Sequence, residues 1–121
     1  MTAIGPLALL AGTPAVLGPF TPSLGSITHA LTFDVGAWVG ATLVLECYLS
    51  LDTGQHFALR GSVTYGGPVS AWVTKTALAV TGIAPSFTLP DTPADADTRV
   101  QFKVITDGAF ASTGGSYTSS A

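Results

Sequence analysis

The sequence predicts an all-β fold, and its residue pattern is the reason. Apolar and polar residues alternate in residues 26–33, 41–51 and 98–106, and a period of two is typical of a strand with one buried face. In the first of these, His29 shares its face with Leu31 and Phe33. Turn-forming residues separate the alternating stretches, and no stretch has the capped apolar stripe of a helix. The chain is therefore expected to be built from strands and turns.

Taken in order, the stretches predict seven or eight short strands. Candidates rich in β-branched and aromatic residues are residues 26–33, 41–51, 55–65, 69–75, 76–83, 86–89 and 98–106. Strands at this spacing indicate an antiparallel β-sandwich, Ig/Fn3-like or jelly-roll, or else a small barrel. The uneven strand lengths and the Pro/Asp-rich loop at residues 90–97 favour the sandwich.

Residues 1–25 differ from the rest and are predicted to form an extended N-terminal arm, followed by a sandwich domain at residues 26–121. The arm has no charged residue and repeats Pro and Gly, which disfavour a helix. Two interpretations stay open: the arm folds back over its own sandwich, or it lies on a neighbouring subunit. Its apolar residues, the candidates for subunit contact, are Ile4, Leu7, Leu9, Leu10, Val16, Leu17 and Phe20.

The segment SLDTGQHF, residues 50–57, carries a turn signature. Ser50, Asp52, Gly54 and Phe57 fit the pattern S-x-D-x-G-x-x-aromatic, which resembles the Asp-box of sialidase propellers and of other extracellular and viral β-domains. Asp is expected to accept hydrogen bonds from backbone N–H groups two residues on, and Gly to adopt the positive φ of a tight hairpin. The four residues are therefore predicted to lock a hairpin, and the pattern indicates no particular ligand.

Composition argues against several classes of function. Only 9% of the 121 residues are charged, the formal net charge is −3 with four basic residues, and the mean hydropathy is +0.52. So few basic residues disfavour a groove that binds nucleic acid. The sequence has no run of 18 apolar residues, so no membrane-spanning helix is predicted. The apolar N terminus lacks the positive start of a signal peptide, so synthesis in the cytoplasm without a signal is expected. Low charge and high apolar content together favour a surface covered by neighbouring chains.

Catalytic and cofactor sites are not predicted. Glu46 is alone on its strand, Ser50 and His56 are too crowded with Asp52 for a catalytic triad, and Cys47 reads as a small buried residue. Two His and one Cys are too few for a zinc site. The densest acidic group could supply some oxygens to calcium, although a solvated loop is the simpler interpretation. That group consists of Asp91, Asp95 and Asp97.

Aromatic residues leave a second class of function open. Trp38, Trp72 and Tyr65, with Tyr48, could stack on sugar rings, as in carbohydrate-binding modules built on a β-sandwich face. The two tryptophans could equally belong to the core. The carbohydrate-binding module is therefore kept as an alternative.

Four segments together resemble the small β-sandwich proteins of tailed-phage virions, namely head decoration proteins and tail or neck modules. They are the uncharged residues 1–25, SLDTGQHF, PADADTRVQFKV at residues 93–104, and GAFASTGGSYTSSA at residues 108–121. The resemblance implies a non-enzymatic capsid decoration or assembly protein of the virion, made in the host cytoplasm. Its implied partners are copies of itself and other virion proteins such as a major capsid protein. An extracellular filament subunit that donates its arm as a strand is a variant of this interpretation.

Overall fold

A computed structural model describes residues 2–10, 12–39, 42–66 and 82–121, and it confirms the β-sandwich. Two antiparallel sheets of six and four strands pack face to face. The described residues contain no helix that is long and apolar enough to cross a membrane. The core lies between the sheets, where alternate side chains of each strand meet.

The six-stranded sheet is built around two long central strands, β4 (Thr28–Val39) and β10 (Ala109–Ser120). The short strands β1 (Thr2–Ile4) and β2 (Leu7–Leu9) both pair with the outer edge of β10. On the other side, β7 (Gly82–Ile83) and β8 (Ser86–Thr88) both pair with β4. Among the described strands, each edge of this sheet is therefore made of two short strands in succession.

The four-stranded sheet has the order β3–β9–β5–β6. Its strands are β3 (Ala15–Phe20), β5 (Thr42–Ser50), β6 (Ala58–Gly66) and β9 (Arg99–Thr106). Burial alternates strictly along β9, and the inward side chains of Val100 and Phe102 are fully buried. The predicted alternation in residues 41–51 and 98–106 therefore marks the two central strands of this sheet.

An aromatic cluster fills the middle of the core. The ring of Tyr117 stacks on Phe20 at a centroid distance of 4.6 Å, and Phe102 lies 5.9 Å from Tyr117 and 6.0 Å from Phe87. Phe87 reaches across from β8 to Gly61 on β6, where an added Cβ would lie 2.9 Å from the ring. Gly61 thus makes room for an aromatic ring from the opposite sheet.

The arm belongs to both sheets of its own chain. Strands β1 and β2 extend the six-stranded sheet, and β3 forms an edge of the four-stranded sheet. Leu9, Leu17 and Phe20 are 8%, 6% and 8% exposed, so their burial is explained without a neighbouring subunit. For these three residues the structure favours the interpretation in which the arm folds back. Subunit contact stays a prediction for Leu10 and Val16, which are 72% and 53% exposed, while Ile4 and Leu7 are half-buried against the core.

Strand number and strand ends differ from the prediction, which was seven or eight. Ten strands are described, because the arm supplies three and the edge beside β4 is divided into two. The prediction missed β10, whose small residues hide its alternation, and it began β6 at residue 55 instead of Ala58. The candidate strand at residues 69–75 and most of the one at residues 76–83 lie outside the described residues.

Candidate functional site

The turn between β5 and β6 is organised by the hydroxyl of Ser50. This buried Oγ accepts hydrogen bonds from the N–H groups of Gly54 at 2.9 Å and Asp52 at 3.3 Å, and it donates to Asp52 Oδ1 at 2.7 Å. The backbone follows with positive φ at Thr53 (60°) and Gly54 (91°). Because Gly adopts a positive φ at little steric cost, it suits position 54.

Asp52 connects the beginning of the same turn to His56 near its end. Its Oδ1 accepts from the His56 N–H at 3.0 Å, and its Oδ2 lies 2.6 Å from His56 Nδ1. Hydrogen bonds from Ser50 and then from His56 hold the pKa of the Asp52 carboxyl well below its usual range. The expectation that Asp52 accepts from the N–H two residues on is wrong, because the loop spans seven residues and Ser50 takes that role.

Ser50, Asp52, Gly54 and Phe57 therefore lie together in the turn, and their contacts hold the conformation of the hairpin. The Phe57 ring lies 3.8 Å from the position that a Cβ on Gly54 would take. Ser50 Oγ points to Asp52 and not to the ring of His56, so the three side chains do not have the Ser–His–Asp contact order of a triad. An open depression of about 320 Å³ lies beside the turn. It is lined by Leu49, Leu51, Asp52, His56, Phe57 and Ala58.

The predicted acidic group does not converge on one point. Asp91 accepts two hydrogen bonds from Arg60 at 2.7 and 3.0 Å, which lower the pKa of its carboxyl. Asp95 instead closes its own loop, because its Oδ1 accepts from the Thr98 hydroxyl and from the Asp97 N–H. Within the described residues, no group of three His, Cys, Asp or Glu side chains could hold a metal ion. Asp91 is thus engaged in an ion pair with Arg60, and Asp95 is engaged in hydrogen bonds within the Asp-rich loop.

Tyr48 and Tyr65, the aromatic candidates for sugar stacking whose side chains the structure describes, lie on opposite faces of the four-stranded sheet. Tyr65 lies opposite Leu43 on the inward side of its strand pair and packs against the core. Trp38 lies on β4 opposite Phe110. Trp72 lies outside the described residues.

The outer face of the four-stranded sheet carries Tyr48, which is held by two neighbours. Its hydroxyl donates to Glu46 Oε1 at 3.0 Å, and Lys103 Nζ lies 5.0 Å from the centre of its ring. Glu46 and Lys103 are directly paired across β5 and β9. This face therefore places opposite charges around an aromatic ring.

The outer face of the six-stranded sheet has a contrasting character. Its side chains are small and mostly hydroxyl-bearing, and hydrogen bonds cross the strands from Thr28 to Thr88 at 3.2 Å and from Thr32 to Ser116 at 2.8 Å. Asp34 is the one Asp, Glu, Lys or Arg residue of β4 and β10, and it lies on this side of the sheet, near the bulge of β10. We call the remaining residues the small-residue face: Thr28, Ala30, Thr32, Ser86, Thr88, Ser116, Thr118 and Ser120.

Sequence reasoning missed this face, because its strands were assigned singly. Residues 108–121 were noted only as an end of small residues, and the pairing of β10 with β4 places them beside the Thr and Ala residues of residues 28–32. Comparison with known proteins adds no name to the site: no family model and no curated protein sequence matches this chain.

Proposed function

We propose that the protein is a non-enzymatic structural subunit of a larger particle, contacting its neighbours through the small-residue face. The observation that carries the proposal is a strand surface on which β4, β8 and β10 present no charged side chain between residues 28 and 32, 86 and 88, or 116 and 120. Short side chains let two sheets approach closely, and the absence of charges removes a large cost of desolvation.

The size of this face favours an assembly with several contacts for each subunit. Five residues at a rise of about 3.3 Å, across three strands about 4.8 Å apart, give an area on the order of 240 Å². A stable two-protein interface buries about 800 Å² on each partner. One such contact would therefore be weak, and many copies held in a lattice would strengthen it through their high effective concentration.

Exposed apolar side chains are consistent with further contacts. Leu10, Leu24, Leu51 and Leu59 are all more than half exposed. Together with the resemblance to small β-sandwich virion proteins, they support a capsid decoration or related phage assembly protein. Its neighbours would be copies of itself and other virion proteins.

Paired lysine substitutions test the contact surface. Thr118→Lys places a charge on the small-residue face, and Thr64→Lys does the same at an exposed threonine on the outer side of β6. In sedimentation velocity over a rising concentration series, we expect the wild type and Thr64→Lys to self-associate, and Thr118→Lys to stay monomeric. Equal association of all three proteins would show that another surface is used. A monomeric wild type throughout would overturn the self-assembly part of the proposal.

The virion assignment has its own test. Antiserum raised against the purified protein should label intact particles of a phage that encodes the chain. Particles that lack the protein in labelling and in mass spectrometry would contradict the assignment while leaving self-assembly unaffected. The carbohydrate-binding alternative has no described contact in its favour, since Tyr65 packs against the core.

A further inference from the structure

His29 is completely enclosed between the two sheets. It has no exposed surface, and its Nδ1 lies 2.8 Å from Tyr117 Oη. The two rings are nearly parallel, at 7° and 6.2 Å between centroids. Its second nitrogen, Nε2, makes no hydrogen bond to any residue that the structure describes.

Proton uptake changes what this ring requires. Neutral imidazole has one N–H donor, whereas imidazolium has two. Tyr117 Oη can accept from Nδ1–H, but the described residues offer no acceptor to Nε2–H. A protonated His29 in this place would thus be a buried charge with an unsatisfied donor, which strongly disfavours the closed structure.

No negative charge inside the described core compensates for that cation. The titratable groups that face the core around it are Tyr117 on β10, Cys47 on β5 and Tyr65 on β6. Burial raises the pKa of both tyrosines and raises that of Cys47 to about 12, so all three are uncharged near neutral pH. Burial likewise lowers the pKa of His29.

The other described inward side chains and the nearby loop also supply no buried counter-charge. In the loop that caps this end of the core, the carboxylates of Asp91 and Asp95 bond Arg60 and Thr98, Asp97 is exposed, and Arg99 bonds backbone carbonyls. Apart from His29, the buried polar side chains of the described residues are all hydroxyls, which carry no charge: Ser26, Ser50, Thr98, Thr106 and Ser112.

The short strand β8 is the weakest cover over His29. His29 pairs laterally with Ser119 on the long central strand β10 and with Phe87 on β8. Strand β8 has three residues and, among the described strands, lies at the edge of the sheet. Removing it would take the Phe87 ring away from the core and open the side of His29 to water, while the order β1–β10–β4 is kept.

We propose that His29 and β8 form an acid-sensitive switch, in which proton uptake by His29 is coupled to detachment of β8 from β4. Detachment would uncover the N–H and C=O groups along this edge of β4. An uncovered edge can pair with a strand of another chain, so acid would change which contacts the subunit makes. The inference stands independently of the virion assignment.

Hydrogen exchange followed residue by residue tests the switch. Two amides report on β8, because Leu31 N–H donates to Pro85 O at 2.9 Å and Leu89 N–H donates to Ile27 O at 2.7 Å. We expect their protection factors to be lower than those of Leu45 and Val104 in the central strands of the other sheet. Below about pH 6.5, the pKa of a solvated histidine, the protection of Leu31 and Leu89 should fall by up to about tenfold per pH unit, the limit for one coupled proton.

Two results of the exchange experiment would contradict the switch. Equal protection at all four amides would show that only global unfolding exposes His29, and pH-independent exchange at Leu31 and Leu89 would show that β8 opens without proton uptake; either result overturns the proposal. His29→Gln should remove the pH dependence at these two amides, and His56→Gln, at the exposed histidine of the turn, should keep it. If His29→Gln does not fold, an NMR titration of the wild-type ring decides: its midpoint must lie below about pH 6.5, at the pH where the fall in protection at Leu31 is complete.

Discussion

Replacing Ser50 by Ala tests the physical account of the β5–β6 turn most directly. The side chain is 1% exposed, and its Oγ makes three hydrogen bonds, the longest at 3.3 Å to the Asp52 N–H. At a net contribution of about 0.5–1.5 kcal/mol for each bond, the loss amounts to about 1.5–4.5 kcal/mol. For a domain of this size, about 4 °C in Tm corresponds to 1 kcal/mol, so we expect Tm to fall by about 6–18 °C.

Thermal unfolding followed by circular dichroism at pH 7 measures this change, and Gln55→Ala serves as the matched control. Gln55 lies in the same turn and is exposed, so the Tm of this variant should stay within about 2 °C of the wild type, as is usual for surface substitutions. A Ser50→Ala protein that melts within about 2 °C of the wild type would refute the reasoning. It would mean that the turn backbone holds its conformation without the serine.

Three further predictions concern the turn, the core and the arm. Gly61→Ala should lower stability by about 1–3 kcal/mol in urea unfolding because its Cβ would lie 2.9 Å from Phe87, whereas Gly5→Ala, with no atom within 4 Å, should not. Because its folded pKa is lowered, Asp52 should stabilise the protein above the unfolded carboxyl pKa of about 3.9; wild-type Tm should drop as the pH falls below that value, and Asp52→Asn should flatten this part of the profile. A chain that begins at Ser26 should fail to give a cooperative melt, since it loses Leu9, Leu17 and Phe20, worth about 1.5–3 kcal/mol each; a cooperative melt close to that of the full chain would show that the sandwich is complete without the arm.

The sequence was sufficient for the sandwich and for the identity of the turn residues. Alternation in residues 41–51 and 98–106 indicates one buried face in each strand, and the structure buries Leu45, Val100 and Phe102 of these stretches completely. The turn residues were found because their chemistry is local. Only the acceptor role of Asp52 towards the N–H two residues on was assigned incorrectly, since which oxygen accepts a given N–H depends on the path of a seven-residue loop.

Strand pairing could not be derived in the same way, because it joins residues far apart in the chain. Nothing near Thr2 indicates that it pairs with Tyr117, and nothing near Val16 indicates Lys103 as its partner. Pro and Gly in the arm excluded a helix correctly, yet they are also compatible with edge strands, where an unpaired side tolerates them. The arm therefore looked separable in sequence while its strands contribute to both sheets.

The pairing of β10 with β4 also shows which face of the sandwich is poor in charged residues. Both strands direct aromatic or aliphatic residues inward, as Tyr117 and Leu31 show, so part of the apolar content is used by the chain's own core. The outward residues between them, such as Ala30 and Thr118, are small and uncharged, whereas Glu46 and Lys103 lie on the outside of the other sheet. Charges are therefore scarce and also unevenly placed. This uneven placement suits the proposed contact through the small-residue face, because an uncharged face costs less to desolvate than a charged one.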